Sequence, residues 1–206
     1  MNTFQEIPVN NSALNKRKTI HNKGINDANY LINPRIHGKH LMCPYYKVWT
    51  SMLTRCYSEA YHKTHPTYLG CSVYEEWLTF SNFKSWMEKQ NWKNKELDKD
   101  LIIRGNKVYS PSTCIFVTSA INNLLSDRLS LRGACVIGVQ WCKSHKKYKA
   151  VCSVNSKLKF LGRYVSEKEA SQAYLTFKKQ HIIFIAHNQT DLQLKQILLN
   201  IANTEY

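Results

Sequence analysis

A carboxylate and a helix-borne amide can hold one divalent cation against a phosphate, and residues 97–125 supply both groups. LDKDLIIRGNKVYSPSTCIFV carries Asp98, and TSAINNLLSD follows it with Asn122 and Asn123. Hydrolysing a phosphodiester near neutral pH calls for a metal to stabilise charge and a base to activate water. Asp98 with Asn122 or Asn123 fits the first role, with Mg²⁺ as the ion. Lys99 stands beside them and does not fit the second. An unperturbed lysine has a pKa of about 10.4, so making it a base at pH 7 costs roughly 4 kcal/mol. Asp98 and Asp100 on either side push it the other way. A charged Lys99 grips phosphate instead, and His65 in an earlier loop is the residue available as a base. The plainer reading is that Asp98, Lys99 and Asp100 cap a strand and form surface ion pairs.

The rest of the chain must position these groups. Its 206 residues suffice for two compact modules, and 29 Lys plus Arg against 14 Asp plus Glu give a formal charge of +15. The pI near 9.5 agrees. A surplus of that size concentrates polyanions and offers many phosphate contacts, which points to nucleic acid. No apolar run approaches the length of about 20 residues needed to span a bilayer. The N-terminal residues lack the apolar core of a signal peptide, so a cytoplasmic setting is expected. Seven scattered cysteines without a CxxC pair read as free, buried thiols, although Cys56 and Cys71 with His62 or His65 offer zinc ligands at an irregular spacing.

Residues 1–40, rich in Asn, Lys and His, read as a basic arm that is either mobile or packed on something else. Tyr45, Trp49, Met52, Leu53 and Cys56 fall on one helical face over residues 44–57. SNFKSWMEKQ predicts a short helix capped by Ser81 that buries Phe83, Trp86 and Met87, so these aromatics serve a core rather than base stacking. The stretch from Leu97 to Val117 reads as a hairpin, 97–103 pairing with 114–117, followed by a helix with Ile121, Leu124 and Leu125 on one side.

After SLRGA, three short strands are expected in CVIGVQW, KKYKAVCSV and KLKFLGRY, joined by the turns KSHK and NS. SEKEASQAYLTFKKQH opens with a capping box, Ser166 and Glu169, and sets Ala170, Ala173, Tyr174 and Phe177 along one stripe. A three-stranded sheet with a helix across its back follows. Alternation assigns Ala150, Cys152, Val154, Val139 and Trp141 to the helix side. Lys149, Val151, Ser153, Gln140 and Cys142 then face outward. Lys143, Lys146, Lys147, Lys157, Lys159 and Arg163 border that open face, an arrangement suited to a DNA groove. A last amphipathic helix is expected with Leu192, Ile197, Leu198 and Ile201, docking on the core or on another subunit.

Two stretches carry family resemblances. RGACVIGVQW, KKYKAVCSV and FLGRYVSEKEASQAY resemble the plant ethylene-response-factor DNA-binding domain, also recurrent in phage endonuclease-like proteins. The resemblance implies a sheet inserted in the major groove, with Arg132, Gln140, Lys143, Lys147, Lys149, Ser153, Lys157 and Lys159 as DNA-binding residues. CPYYKVWTSMLTRCYS, HPTYLGCSVYEEWLTFSNF, LDKDLIIRGNKVYSPSTCIFV and INN are similar to phage proteins related to HNH homing endonucleases. That resemblance matches Asp98 to the aspartate of an Asp-His pair, puts Lys99 where the histidine would be, and matches Asn122 or Asn123 to the helix asparagine. The expected fold is therefore α+β, an HNH-like ββα module followed by a three-stranded antiparallel sheet packed on one helix.

The expected divisions are an arm at 1–40, an HNH-endonuclease-like domain at 41–128, an ethylene-response-factor-like domain at 132–185 and a C-terminal helix at 190–206. The expected function is sequence-specific binding of double-stranded DNA, with the cutting centre (Asp98, Lys99, Asn122, Asn123) weakened or lost and repression of transcription as the output. Such binding needs no cofactor. The alternative is an active homing endonuclease with Mg²⁺ on Asp98 and Asn122. A palindromic target would call for a homodimer, and no membrane partner is expected. The expected setting is the cytoplasm of a bacterial or phage-infected cell.

Overall fold

A computed structural model describes residues 4–125, 135–154 and 157–204. The chain is α+β and divides into two units, Met1–Thr118 and Ser119–Tyr206. Among the described residues no helix is long and apolar enough to cross a membrane.

In the first unit, Asn10 caps the short helix α1 (Asn11–Asn15), and β1 (Arg35–Ile36) pairs with β2 (Lys39–His40). The helix α2 (Pro44–Tyr57) forms the centre, begun by a proline at its first turn. Its buried stripe is Tyr46, Trp49, Met52, Leu53 and Cys56, with Tyr45 half-buried at the margin. The Trp49 indole N–H would be costly to bury alone. It donates to the Trp77 carbonyl at 2.7 Å. Around it Tyr46, Phe80, Trp77, Phe83 and Trp86 stack edge-on or tilted, so the aromatics of this unit are core residues.

Residues 4–32 are part of that core. Ala28 and Tyr30 are buried in it, and the Arg17 guanidinium gathers the carbonyls of Asn26, Ala28 and Tyr30. Backbone bonds from Ile25 to Leu78 and from Phe80 to Ile25 tie the segment to the start of α4 (Phe80–Met87). Ser81 does not cap α4, because the helix already begins at Phe80 with Thr79 as its N-cap. Asp27 Oδ1 instead accepts the Ser81 amide at 2.9 Å, so the preceding segment supplies the helix start.

The helix α3 (Glu59–Thr64) leads into β3 (Ser72–Val73), which pairs in parallel with β5 (Val108–Tyr109). The expected hairpin forms between β4 (Glu96–Asp98) and β6 (Ile115–Val117), with Leu97 opposite Phe116 and Asp98 opposite Ile115. Its first strand ends at Asp98 rather than Ile103. Asp98 Oδ1 accepts the amides of Asp100 and Leu101 at 2.9 and 2.7 Å, a side-chain turn that removes those donors from a strand ladder.

The second unit begins with α5 (Ser119–Leu125), where Ile121 and Leu124 are buried. The unit boundary thus falls inside the expected 41–128 module. The SLRGA stretch and residues 155–156, where a turn is expected, lie outside the described residues. The strands β7 (Val139–Cys142), β8 (Lys147–Val154) and β9 (Lys157–Tyr164) make an antiparallel sheet in that order. Val139 and Ala150 pack with Ala170 of α6 (Glu167–His187). The capping box is present, Ser166 Oγ accepting the Glu169 amide at 3.2 Å and Glu169 accepting the Ser166 amide at 3.3 Å.

Beyond the expected stripe, α6 continues with a buried row of Ala170, Tyr174, Lys178, Ile182 and Ala186 at every fourth residue, while Ala173 and Phe177 are half-buried. The helix α7 (Leu192–Thr204) packs on α6, and Leu194, Leu198 and Ala202 are its buried residues. Leu192, expected in that face, is 78% exposed, because the buried row starts two residues later.

Candidate nucleic-acid interface

Strand alternation predicts two faces, and the register supplies their rows. Val139, Ala150 and Gly162 are cross-strand neighbours on the α6 side. Gln140, Lys149 and Arg163 are neighbours on the opposite side, forming a polar row across all three strands. Cys142 with Lys147 continues that face at one end, and Ser153 with Leu158 at the other. Trp141 shares Val139's side by alternation but is 47% exposed, its ring set edge-on to Tyr148.

A bulge rearranges β9. Ala150 pairs with Gly162 but Val151 pairs with Phe160, leaving Leu161 as an extra residue. Leu161 and Gly162 both fall on the α6 side, and Gly162 has φ +146°, a conformation that favours glycine. Every residue before the bulge consequently changes face. Phe160 and Leu158 emerge on the open side, 51% and 70% exposed, and the Arg163 guanidinium lies 5.2 Å from the Phe160 ring.

The same inversion moves Lys157 and Lys159 off the open face. Lys157 pairs with Val154 and Lys159 with Cys152, both on the helix side. The Lys159 ammonium sits 4.7 Å from the Phe177 ring of α6. Gln140, Lys149 and Ser153 occupy the expected open face, Lys147 its end, and Lys143 the exposed β7–β8 turn. Arg132 lies outside the described residues.

In that turn Cys142 Sγ lies 3.4 Å from Ser144 Oγ and 3.3 Å from His145 Nδ1. These hydrogen bonds, Ser144 first and His145 second, bring the exposed thiol down to about 6. Cys56 and Cys114, buried in the first unit, are instead pushed up to about 12 by burial.

Compared with protein-family models, curated proteins and solved structures, the chain matches none of them.

The hairpin end of the first unit is occupied by structural bonds. Lys99 is 6% exposed, and its ammonium donates to the Asn106 carbonyl at 2.8 Å and pairs with Asp100 at 3.0 Å. It faces the Tyr109 ring, whose own phenol burial keeps protonated. Burial first, and the Asp100 charge second, raise the Asp98 carboxyl above the usual range, against the pull of its two backbone amides. The expected base, His65, stacks on Tyr61 at 4.1 Å and shares a hydrogen bond with Thr64. His62 Nε2–H donates to the Arg55 carbonyl.

Asn122 and Asn123 lie on α5 in the second unit. Among the described residues no group of three or more His, Cys, Asp and Glu is placed to hold a metal. One carboxylate with an oxygen committed to two amides is a thin donor set for Mg²⁺, which asks for octahedral oxygen ligands.

Three contributors escaped sequence reasoning. Arg55 lies in the last turn of α2 and reaches toward the Leu97 carbonyl and the Tyr68 ring, at 3.5 and 5.8 Å. Nothing in its spacing separates it from an ordinary surface arginine. For Phe160 and Leu158 the one signal in the sequence is the glycine at 162, a residue type that often marks a bulge.

Proposed function

We propose that this chain is a double-stranded DNA-binding protein that reads the major groove with the open face of β7–β9. It descends from the HNH homing-endonuclease group and represses transcription by occupying its site. The observation that carries this reading is the Gln140, Lys149, Arg163 row on the face opposite α6, in a chain of net charge +15. An amide can pair with adenine, an arginine with guanine, and lysines with phosphates, the division of labour a groove reader needs. The buried, bonded state of Lys99 supports a scaffold reading of the hairpin over a catalytic one.

The test is selection of duplexes from a random-sequence pool by the full-length protein, then incubation of the selected duplex with protein and Mg²⁺ or Mn²⁺. Enrichment of a defined sequence that stays intact is the expected result. Specific nicking that disappears in Asp98→Ala would establish the endonuclease alternative instead.

A further inference from the structure

An exposed phenylalanine on a groove-facing sheet needs a chemical partner, since phosphates and sugars reward lysine and polar groups rather than an aromatic ring. Phe160 and Leu158 reach that face through the bulge at Leu161 and Gly162. The Arg163 guanidinium carbon lies 5.2 Å from the Phe160 ring centroid, a cation–π contact on the same face. That contact and the strand register place the ring beside the Gln140, Lys149, Arg163 row. In the major groove the apolar feature on a base edge is the C5-methyl of a pyrimidine, which apolar side chains contact.

Resting on the DNA-binding reading above, we propose that Phe160 is a specificity-determining residue that recognises a pyrimidine C5-methyl group in the major groove. Thymine carries that group in unmodified DNA, and 5-methylcytosine carries it in modified DNA. The bulge is the device that makes this contact. An unbulged β9 would turn Phe160 toward α6 and present Lys159 to the groove, giving phosphate affinity without a methyl contact.

The test uses the full-length protein and a duplex selected from a random pool, with each thymine replaced singly by deoxyuridine. Replacement removes one methyl and nothing else. Wild type should lose affinity about fourfold at one position. Phe160→Ala should bind the thymine and deoxyuridine duplexes equally, with an unchanged thermal midpoint showing that it folds. A second arm uses a pool containing 5-methylcytosine. A methyl-dependent gain there that vanishes in Phe160→Ala, with no deoxyuridine effect, assigns the source to 5-methylcytosine and still supports the contact.

Selection of a sequence without any methyl effect overturns the inference and leaves DNA binding standing, as does a methyl effect that persists in Phe160→Ala. Failure to select any sequence overturns the DNA reading itself, and this inference with it.

Discussion

Lys99 and Asn106 clasp one loop reciprocally. The lysine ammonium donates to the Asn106 carbonyl at 2.8 Å, and the Asn106 side-chain amide donates to the Lys99 carbonyl at 2.7 Å. Asn106 also donates to the Val108 carbonyl and accepts the Val108 amide, so one side chain organises the approach to β5. The Lys99 ammonium is thus bonded inside the protein, which is why its position matters to stability.

Asn106→Ala should accordingly destabilise the protein by about 2 to 3 kcal/mol, because partly buried groups lose their partners together. Urea unfolding measures it, and an unchanged midpoint would refute the clasp. Lys99→His should also unfold more easily and should not create cleavage, since the imidazole replaces a buried tie rather than filling an open catalytic position. Specific cutting by Lys99→His would contradict this.

The Asp98 carboxyl binds its proton more tightly when folded than when unfolded. Its contribution to stability is therefore fully present below the ordinary carboxyl value of about 3.9 and declines as pH rises through the raised folded value. Asp98→Asn keeps an oxygen for the Asp100 and Leu101 amides while removing the charge. Thermal midpoints should show the variant at least as stable as wild type at neutral pH, with the difference shrinking toward about pH 4. A variant markedly weaker at neutral pH would mean that the charge itself is needed.

Cys142 should be the fast-reacting thiol. Iodoacetamide labelling followed by mass spectrometry should modify it ahead of Cys56 and Cys114, with a rate that climbs through a midpoint of about 6. Ser144→Ala and His145→Ala should each move that midpoint toward the usual thiol value of about 8.5. Equal labelling of the buried thiols would count against the arrangement of the β7–β8 turn.

Gly138 precedes β7 at φ +76°, and an added Cβ would meet the Tyr174 ring at 2.1 Å. Gly138→Ala combines backbone strain with overpacking between sheet and helix, and should cost at least about 2 kcal/mol. Thermal unfolding reads this directly, and a neutral effect would show that β7 can withdraw from α6.

These residues also show where the sequence is legible. The α2 stripe through Trp49 and Cys56, the Ser166 and Glu169 capping box and the three strands were readable because periodicity and local hydrogen bonding write them into neighbouring positions. The packing of residues 4–32 was not, since it rests on isolated side chains such as Arg17, Asp27 and Tyr30 meeting distant backbone. The bulge was hidden for a related reason. One extra residue on β9 inverts the faces of Lys157 through Phe160, and an alternation rule applied without it puts lysines where a phenylalanine stands. In the candidate site, Gln140 and Lys149 could be found from pattern alone, whereas the committed state of Lys99 depends on Asn106 folding back across the loop.

Whether the open face of β7–β9 holds DNA is read by fluorescence anisotropy with the selected duplex over a range of salt concentrations, comparing wild type with Lys149→Ala/Arg163→Ala. Wild type should bind with a steep salt dependence. The double variant, with an unchanged thermal midpoint, should lose at least about tenfold in affinity and show a shallower salt slope. Equal affinity and equal slope for the two proteins would contradict the account.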